Sequence, residues 1–363
     1  MAAAWRWLVI IAASVRQQPS DVPAMKREKY AQRKQHFVPA CYLKAWLDPL
    51  APKTATNNPY VWLFDKDGEN PRHKSPEKIF RETEMYTLTA PDGGRDLRLE
   101  HGLGTIESNF TMVRTSKFSL KRPLTKQDWE WVCLFAATAH NRTASSRDHW
   151  LHQMEKIKSM FEQGAGPDWE TRTVQPELPP HIDRSTVYVP QPGDFDNLKE
   201  DSTRTLIESA VDSILPALMG MHKTVLCTND PLGFLTTDAP STWFDPTAYR
   251  RHPFDRPVGF NSPSIEITLP ISPSQCLLFT HQLVGPLYCD VSPDDVDAFN
   301  HRHAGHAPTT LVARSKETRP IWFEVVKPPP DSWDVLHPDP EDRQHWTSPD
   351  CPPGLLDMLD RRS

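Results

Sequence analysis

Near the middle of the chain stands the sequence Thr125-Lys-Gln-Asp-Trp-Glu-Trp-Val-Cys-Leu-Phe-Ala-Ala137. Thr125 and Asp128 have the spacing of a capping box, in which each side chain accepts a hydrogen bond from the other residue's backbone N–H. The turns that follow are apolar on all sides, so the helix must be buried, and it is too short for a bilayer. The sequence therefore predicts a buried central helix that continues with more polar faces toward Phe161 and ends at Gly164.

Two further helices are expected on either side of this one. Upstream, apolar residues recur at spacings of three, four and seven, which is typical of an amphipathic helix. These residues are Leu99, Leu103, Ile106, Phe110 and Val113. Downstream, residues 206–219 show a similar stripe, and Pro216 is expected to kink that helix because proline lacks a backbone donor. The middle of the chain is therefore predicted to be helical.

The last part of the chain changes to patterns typical of β-strands. The expected strands are residues 224–227, 234–237, 264–269, 276–280, 310–313 and 321–326. The first four are expected to form two successive hairpins. Ser292 followed by Pro293 predicts the start of a short helix. Together these patterns predict an α+β fold with a helical middle, a mostly antiparallel sheet from the C-terminal part and a small mixed N-terminal segment.

Composition narrows the class of protein and suggests where the folded part lies. The 363 residues are 38% hydrophobic with a net charge of −6, and no apolar run reaches the roughly 18 residues of a membrane helix. These values exclude collagens, coiled coils and membrane channels. Residues 1–34 are expected to be an extension, either disordered or the product of a start codon assigned too early, with a weak signal peptide as a third reading. Residues 35–327 are expected to form a single domain.

The C-terminal segment 328–363 is predicted to be a disordered tail. It contains eight prolines, and residues 331–363 hold eight acidic residues against three arginines. Such a segment buries too little apolar surface to offset its ordering entropy. The remaining body is close to neutral, so net charge does not support nucleic-acid binding, although a local patch would suffice.

Common catalytic and metal-binding motifs are missing from the sequence. The six cysteines form no C-x-x-C pair, and there is no Gly-rich phosphate loop, G-x-S-x-G or H-E-x-x-H motif. This pattern argues against zinc ribbons, NTPases, α/β-hydrolases and zincins. Cys133, inside the apolar helix, is expected to be a reduced core residue, which favours a soluble protein of the cytoplasm.

One motif resembles a known family. Gln35-His-Phe-Val-Pro39, followed by Tyr42, Leu43 and Trp46, resembles the opening of the domain of unknown function 4238. Later stretches fit the same pattern in order: Trp62-Leu-Phe-Asp65, the helix with Glu100 and Glu107, Asn141-Arg-Thr143, Thr236-Thr-Asp-Ala-Pro240, Leu269-Pro-Ile-Ser-Pro273 and Asn300. Ala144 and Ala239 depart from it. The resemblance covers residues 35–314 and implies an architecture and a set of candidate site residues, but no reaction.

His36 and Arg142 are the first candidate catalytic residues. An imidazole at a helix start can ligate a metal or transfer protons near neutral pH, or it can simply cap the helix. Arg142 follows the apolar helix, where it can bind a phosphate or carboxylate group of a ligand. Alternatively, it pairs with a carboxylate of the protein, because an unpaired buried charge is costly.

The carboxylates and one amide supply the other candidates. Glu100 and Glu107 are seven residues apart, so they lie on one side of a helix and about 10 Å apart along its axis. Glu107 is predicted to be catalytic, and Glu100 is either a binding residue or part of a solvated edge. Asp238 follows a strand and is either a base, a metal ligand or a turn anchor. Asn300 is a candidate polar contact to a ligand.

Two functions are compatible with these residues. The first is a hydrolase-like enzyme, for example a metal-dependent phosphoesterase or nuclease, in which His36, Glu107 and Asp238 act as ligands or base and Arg142 stabilises developing charge. The second is a non-catalytic protein-interaction module in which the same residues form a structural network. The sequence identifies no cofactor or metal, with a divalent metal as one candidate, and it predicts no membrane partner.

Overall fold

The computed structural model describes residues 33–52, 58–90, 93–165, 195–196, 199, 202–251, 259–260, 262–282 and 285–324. The strands are β1 Lys34–His36, β2 Val61–Asp65, β3 Arg72–Lys74, β4 Arg81–Thr83, β5 Leu88–Thr89, β6 Arg95–Asp96, β7 His222–Cys227, β8 Thr236–Thr237, β9 Thr242–Phe244, β10 Glu266–Ser272, β11 Gln275–Thr280, β12 Tyr288–Asp290 and β13 Thr310–Ala313. The α-helices are α1 Ala40–Leu43, α2 Arg98–Ser116, α3 Lys126–Asn141, α4 Ala144–Ala165, α5 Ser202–Ser209, α6 Leu215–Gly220 and α7 Pro293–His306. Short 3₁₀ turns occupy Lys44–Trp46, Pro76–Lys78, Phe118–Leu120, Ala248–Arg250 and Pro320–Phe323.

The central helices follow the sequence patterns, with one break. The capping box of Thr125 and Asp128 begins α3, whose apolar residues are buried, and the stripe of α2 packs in the same core. The predicted continuous helix is wrong at one point, because α3 ends at Asn141 and α4 begins at Ala144. The Thr143 hydroxyl accepts a hydrogen bond from the Ser146 backbone, as an N-cap does, and so starts a new helix. Between α5 and α6 a π-helical turn, Ala210–Ile214, precedes Pro216, where a kink was predicted.

The largest sheet has five strands in the order β12-β7-β11-β10-β9. The predicted hairpin between β10 and β11 is confirmed, with Ile267 opposite Phe279. The predicted hairpin of residues 224–227 with 234–237 is wrong: β7 pairs with β11 and β12, whereas β8 pairs with β13 in another sheet. Both faces of the large sheet are covered, one by α2, α3 and α6 and the other by α7, so apolar residues occupy both sides of its central strands.

A second sheet has the order β3-β2-β13-β8 and packs against the end of α7. The predicted strand at residues 310–313 is confirmed as β13, which pairs with β2. The predicted strand at 321–326 is wrong over its described part, because Pro320–Phe323 forms a 3₁₀ turn. That turn places Trp322, 1% exposed, in the small core between this sheet and α7.

The N-terminal segment places the opening motif beside α2. β1 pairs with β4, and His36 lies opposite Arg81 in that pairing. The following helix, α1, is anchored by Tyr42, whose hydroxyl donates a hydrogen bond to the carbonyl of Pro270 over 2.6 Å. Arg114 of α2 donates to the carbonyls of Cys41 and Tyr42, at 2.8 and 2.9 Å. The motif is thus held between α2 and the large sheet.

The architecture confirms the predicted α+β fold: a helical middle and mostly antiparallel sheets, with β12 parallel to β7. Within the described part, no helix has the length and apolar composition needed to cross a membrane. Lys34, placed by prediction in the extension, belongs to β1. Residues 1–32 of that extension and the whole predicted tail, 328–363, lie outside the described residues.

Candidate functional site

Arg142 lies at the centre of a cluster of polar residues from three separate segments. Its side chain is 3% exposed and forms an ion pair with Glu107 of α2, with Nη1 and Oε1 2.7 Å apart. Its Nη2 donates to the carbonyl of His36, and its guanidinium lies over the ring of Tyr86 at 5.4 Å from the centroid. The arginine therefore joins α2, β1 and the segment after β4 in one network.

The break between α3 and α4 gives Arg142 this position. Its backbone N–H still bonds to the carbonyl of Thr138, so α3 continues up to this residue. Asn141 donates from its side chain to the carbonyl of Leu206, which fixes the end of α3 against α5. In return, the Arg142 carbonyl accepts a hydrogen bond of 3.0 Å from the hydroxyl of Tyr86. Both the backbone and the side chain of Arg142 are thereby held in place.

His36 presents a buried nitrogen next to this ion pair. Its Nε2 has no hydrogen-bond partner among the residues that the structure describes. Burial lowers the pKa of His36, and a hydrogen bond that the imidazole donates to the backbone of Glu77 and the charge of Glu107 oppose that shift. A neutral imidazole with an available nitrogen is the form that accepts a proton.

Glu100 and Cys41 complete the cluster on its outer side. Burial raises the pKa of Glu100, and the negative charge of Glu107 acts in the same direction while Arg142 opposes it. Cys41 Sγ lies 3.8 Å from Glu107 Oε2, and burial together with that carboxylate raises the pKa of the thiol. The cluster therefore favours a protonated carboxyl at Glu100 and an uncharged thiol at Cys41.

Four of the six candidate residues from the sequence thus lie together: His36, Glu100, Glu107 and Arg142. The ion pair between Arg142 and Glu107 corresponds to the structural alternative considered for that arginine. Sequence reasoning missed Cys41 and Tyr86, which the fold adds to the cluster. The one available signal for Cys41 was its place inside the opening motif, whereas Tyr86 lies outside every stretch that carried the family resemblance.

The other two candidates have their described contacts elsewhere. The carboxylate of Asp238 accepts hydrogen bonds from the hydroxyl and the backbone N–H of Thr309, at 2.6 and 3.1 Å. Asn300 of α7 bonds to the backbone of Gly233 and Leu235 and is fully buried. Asn300 thus ties the loop before β8 to α7, and Asp238 ties the residues after β8 to the segment before β13.

The proposed metal ligands do not form a metal-binding group. Among the described residues, no three His, Cys, Asp or Glu side chains are placed so that they could hold one ion together. The histidines at the end of α7 also have other contacts: His303 is fully buried, with its ring nitrogens 3.0 and 3.1 Å from the hydroxyls of Thr242 and Thr268. The geometry therefore offers acid and base side chains around an arginine.

Comparison with known proteins agrees with the resemblance found in the sequence. The family model of the protein of unknown function DUF4238 matches residues 34–317, which include every residue of the cluster. No curated protein and no solved structure matches the chain. Because the family match spans well over half of its length, the chain belongs to the DUF4238 family.

Proposed function

We propose that the protein is a hydrolase of phosphoesters, with nucleic acids as a substrate class. The observation that supports this function most is the convergence of His36, Glu100 and Glu107 on the buried Arg142. Acid, base and guanidinium groups from three segments are the components that general acid–base hydrolysis requires.

His36 and Glu100 would act as base and acid. Burial shifts their pKa values in opposite directions, which favours the neutral form of the imidazole and the protonated form of the carboxyl. In the proposed reaction, His36 Nε2 removes a proton from water, and the water oxygen forms a bond to phosphorus. The bond to the leaving oxygen breaks, and that oxygen takes the proton of Glu100. Solvent then restores both protonation states.

Arg142 and Glu107 would act as positioning residues. The guanidinium bonds the backbone carbonyl of His36 and so fixes where the imidazole lies, and Glu107 in turn fixes the guanidinium. A catalytic group that is held rigidly loses less entropy on reaching the transition state. The sequence-based role for Arg142, stabilisation of developing charge, would then be secondary.

A second function is favoured by a different observation, the mutual pairing of Arg142 and Glu107. A buried ion pair with further hydrogen bonds to Tyr86 and His36 can serve to specify the fold alone. The protein would then be a non-catalytic interaction module whose polar residues form a structural network.

Hydrolysis assays on the full chain test the first function against the second. The substrates are bis-p-nitrophenyl phosphate and a labelled single-stranded oligonucleotide, each with EDTA, Mg²⁺ or Mn²⁺ so that a metal requirement is detected. The variants are His36→Gln and Glu100→Gln, with the exposed His149→Gln as matched control.

We expect His36→Gln and Glu100→Gln to lower kcat by about 10²- to 10⁴-fold with little change in melting temperature, and His149→Gln to behave as wild type. If the wild-type chain hydrolyses neither substrate under any of these conditions, the proposal that the protein is a phosphoester hydrolase is refuted. Variants that melt lower without any effect on a measurable rate would favour the structural network.

A further inference from the structure

Three aromatic rings, those of Tyr60, Trp62 and His73, form a group at the β3 edge of the second sheet. Trp62 of β2 lies opposite His73 of the edge strand β3, with ring centroids 5.5 Å apart and planes at 22°. Tyr60 contacts both, with its centroid 4.3 Å from that of His73. His73 is exposed, while Tyr60 and Trp62 are half-buried. This aromatic edge therefore presents ring surface to solvent.

The aromatic edge is fixed in place by its neighbours. Trp62 Nε1 donates to Asp48 Oδ2 over 2.7 Å, and the Asp48 backbone N–H donates to the carbonyl of Tyr60. Trp62 also packs against the small core around Trp322. Rigid rings cost little entropy when a ligand stacks on them.

A cavity lies between the segment that leads into the aromatic edge and the turn that contacts His36. It has a volume of about 310 Å³ and is lined by Lys44, Leu47, Asn58, Pro59, Pro76 and Glu77. On one side, Pro59 directly precedes Tyr60. On the other side, the backbone of Glu77 bonds His36. The cavity therefore borders residues adjacent to both regions.

The charges along this path suit an anionic chain with flat bases. Lys44 lines the cavity, Lys74 belongs to β3 and Lys78 to the turn after it, and all three side chains are exposed. Glu77, the acid that lines the cavity, is paired with Lys44 at 3.0 Å and accepts a hydrogen bond from Ser75, and Asp48 at the aromatic edge accepts one from Trp62. Basic groups next to ring surfaces are typical of single-strand binding.

We propose that the aromatic edge and the adjoining cavity bind single-stranded nucleic acid. A base stacks on Tyr60 and His73, and the backbone passes Lys74 and Lys44 toward His36. This inference names the substrate class of the proposed hydrolase and to that extent rests on the proposed function, but binding can be measured without catalysis. The competing explanation is that basic residues on β3 only protect a sheet edge from pairing with another strand.

Fluorescence anisotropy tests the proposal with the full chain carrying His36→Gln, so that no substrate is consumed. The probes are fluorescein-labelled 12-nucleotide oligo-dT and oligo-U. Tyr60→Leu removes the ring but keeps an apolar side chain, and His73→Ala removes its exposed neighbour. His149→Ala is the matched control, because it removes an exposed histidine from α4.

Tyr60→Leu and His73→Ala should each raise Kd by about 5-fold or more, since stacking contributes about 1–3 kcal/mol per base. Lys74→Gln should lower the slope of log Kd against log salt by about 0.7. Equal affinity of the ring variants and His149→Ala would overturn the proposal, as would binding of a neutral oligosaccharide in place of the oligonucleotides.

The two proposals can fail separately. Hydrolysis of bis-p-nitrophenyl phosphate without oligonucleotide binding would overturn this inference and leave the hydrolase standing. Ring-dependent oligonucleotide binding by a chain that hydrolyses nothing would support this inference and refute the hydrolase.

Discussion

Replacing Glu107 by glutamine should destabilise the protein by about 3 kcal/mol. The guanidinium of Arg142 is 3% exposed, whereas its partner carboxylate is 21% exposed, so the arginine depends on Glu107 more than the reverse. Glutamine keeps a hydrogen-bond acceptor at the same position and removes only the charge. Water cannot readily replace that charge, because Tyr86 and the His36 backbone surround the guanidinium. Because glutamine retains the acceptor, the loss of stability should be near the lower end of the values for broken buried ion pairs.

The chain offers a matched control for the same chemical change. Glu208 pairs with Arg204 four residues earlier on α5, with side chains 38% and 31% exposed and Nε and Oε1 3.1 Å apart. An exposed pair of this kind contributes about 0.3–0.5 kcal/mol. Glu208→Gln should therefore cost at least fivefold less than Glu107→Gln.

Urea unfolding measures both losses. Tryptophan fluorescence and circular dichroism must give coincident transitions before a free energy of unfolding is extracted. A loss below about 1 kcal/mol for Glu107→Gln, comparable with that of Glu208→Gln, would refute the conclusion that the buried arginine depends on this carboxylate.

Two further predictions concern stability. Burial, together with the charges of nearby residues, lowers the pKa of His303 from 6.5 to about 3, so the unfolded chain binds one more proton at mildly acidic pH. The stability associated with a neutral His303 is complete above pH 6.5 and should decrease as the pH falls toward 3, by up to about 1.4 kcal/mol per pH unit. His303→Gln should reduce this slope in urea unfolding between pH 7 and 5, and an unchanged slope would contradict the assignment. Gly233 has φ +65° and a Cβ there would collide with the Pro273 carbonyl oxygen, whereas Gly104 lies in α2 with nothing near its Cβ position. Gly233→Ala should destabilise by about 2 kcal/mol or more and Gly104→Ala should stabilise by about 0.5–1 kcal/mol; thermal melts in which both substitutions act alike would show this reasoning to be wrong.

Elements specified by nearby residues were predicted well. The capping box at Thr125, the helix start at Ser292 and the stripe of α2 depend on contacts within one or two helical turns, and each is present. The β10–β11 hairpin needs only a short turn between its strands. For such features, the residues that decide the structure are adjacent in the sequence.

Elements that depend on distant partners were predicted poorly. β7 and β8 are separated by eight residues and look like a hairpin, yet each pairs with a strand from elsewhere. Either pairing would satisfy the backbone of both strands, so local pattern does not choose between them. Residues 321–326 have strand propensity, but the burial of Trp322 against α7 favours a 3₁₀ turn.

The same division applies to the candidate site. The amino-acid sequence by itself determined the α+β class, the family and the identities of His36, Glu100, Glu107 and Arg142 as candidates, because these follow from local periodicity and from a contiguous motif. Only the tertiary structure decided that these four residues meet while Asp238 and Asn300 make their contacts on either side of β8. It did so because Arg142 is 35 residues from Glu107 and 106 from His36 along the chain, and the packing of α2, α3 and β1 around one core brings them together.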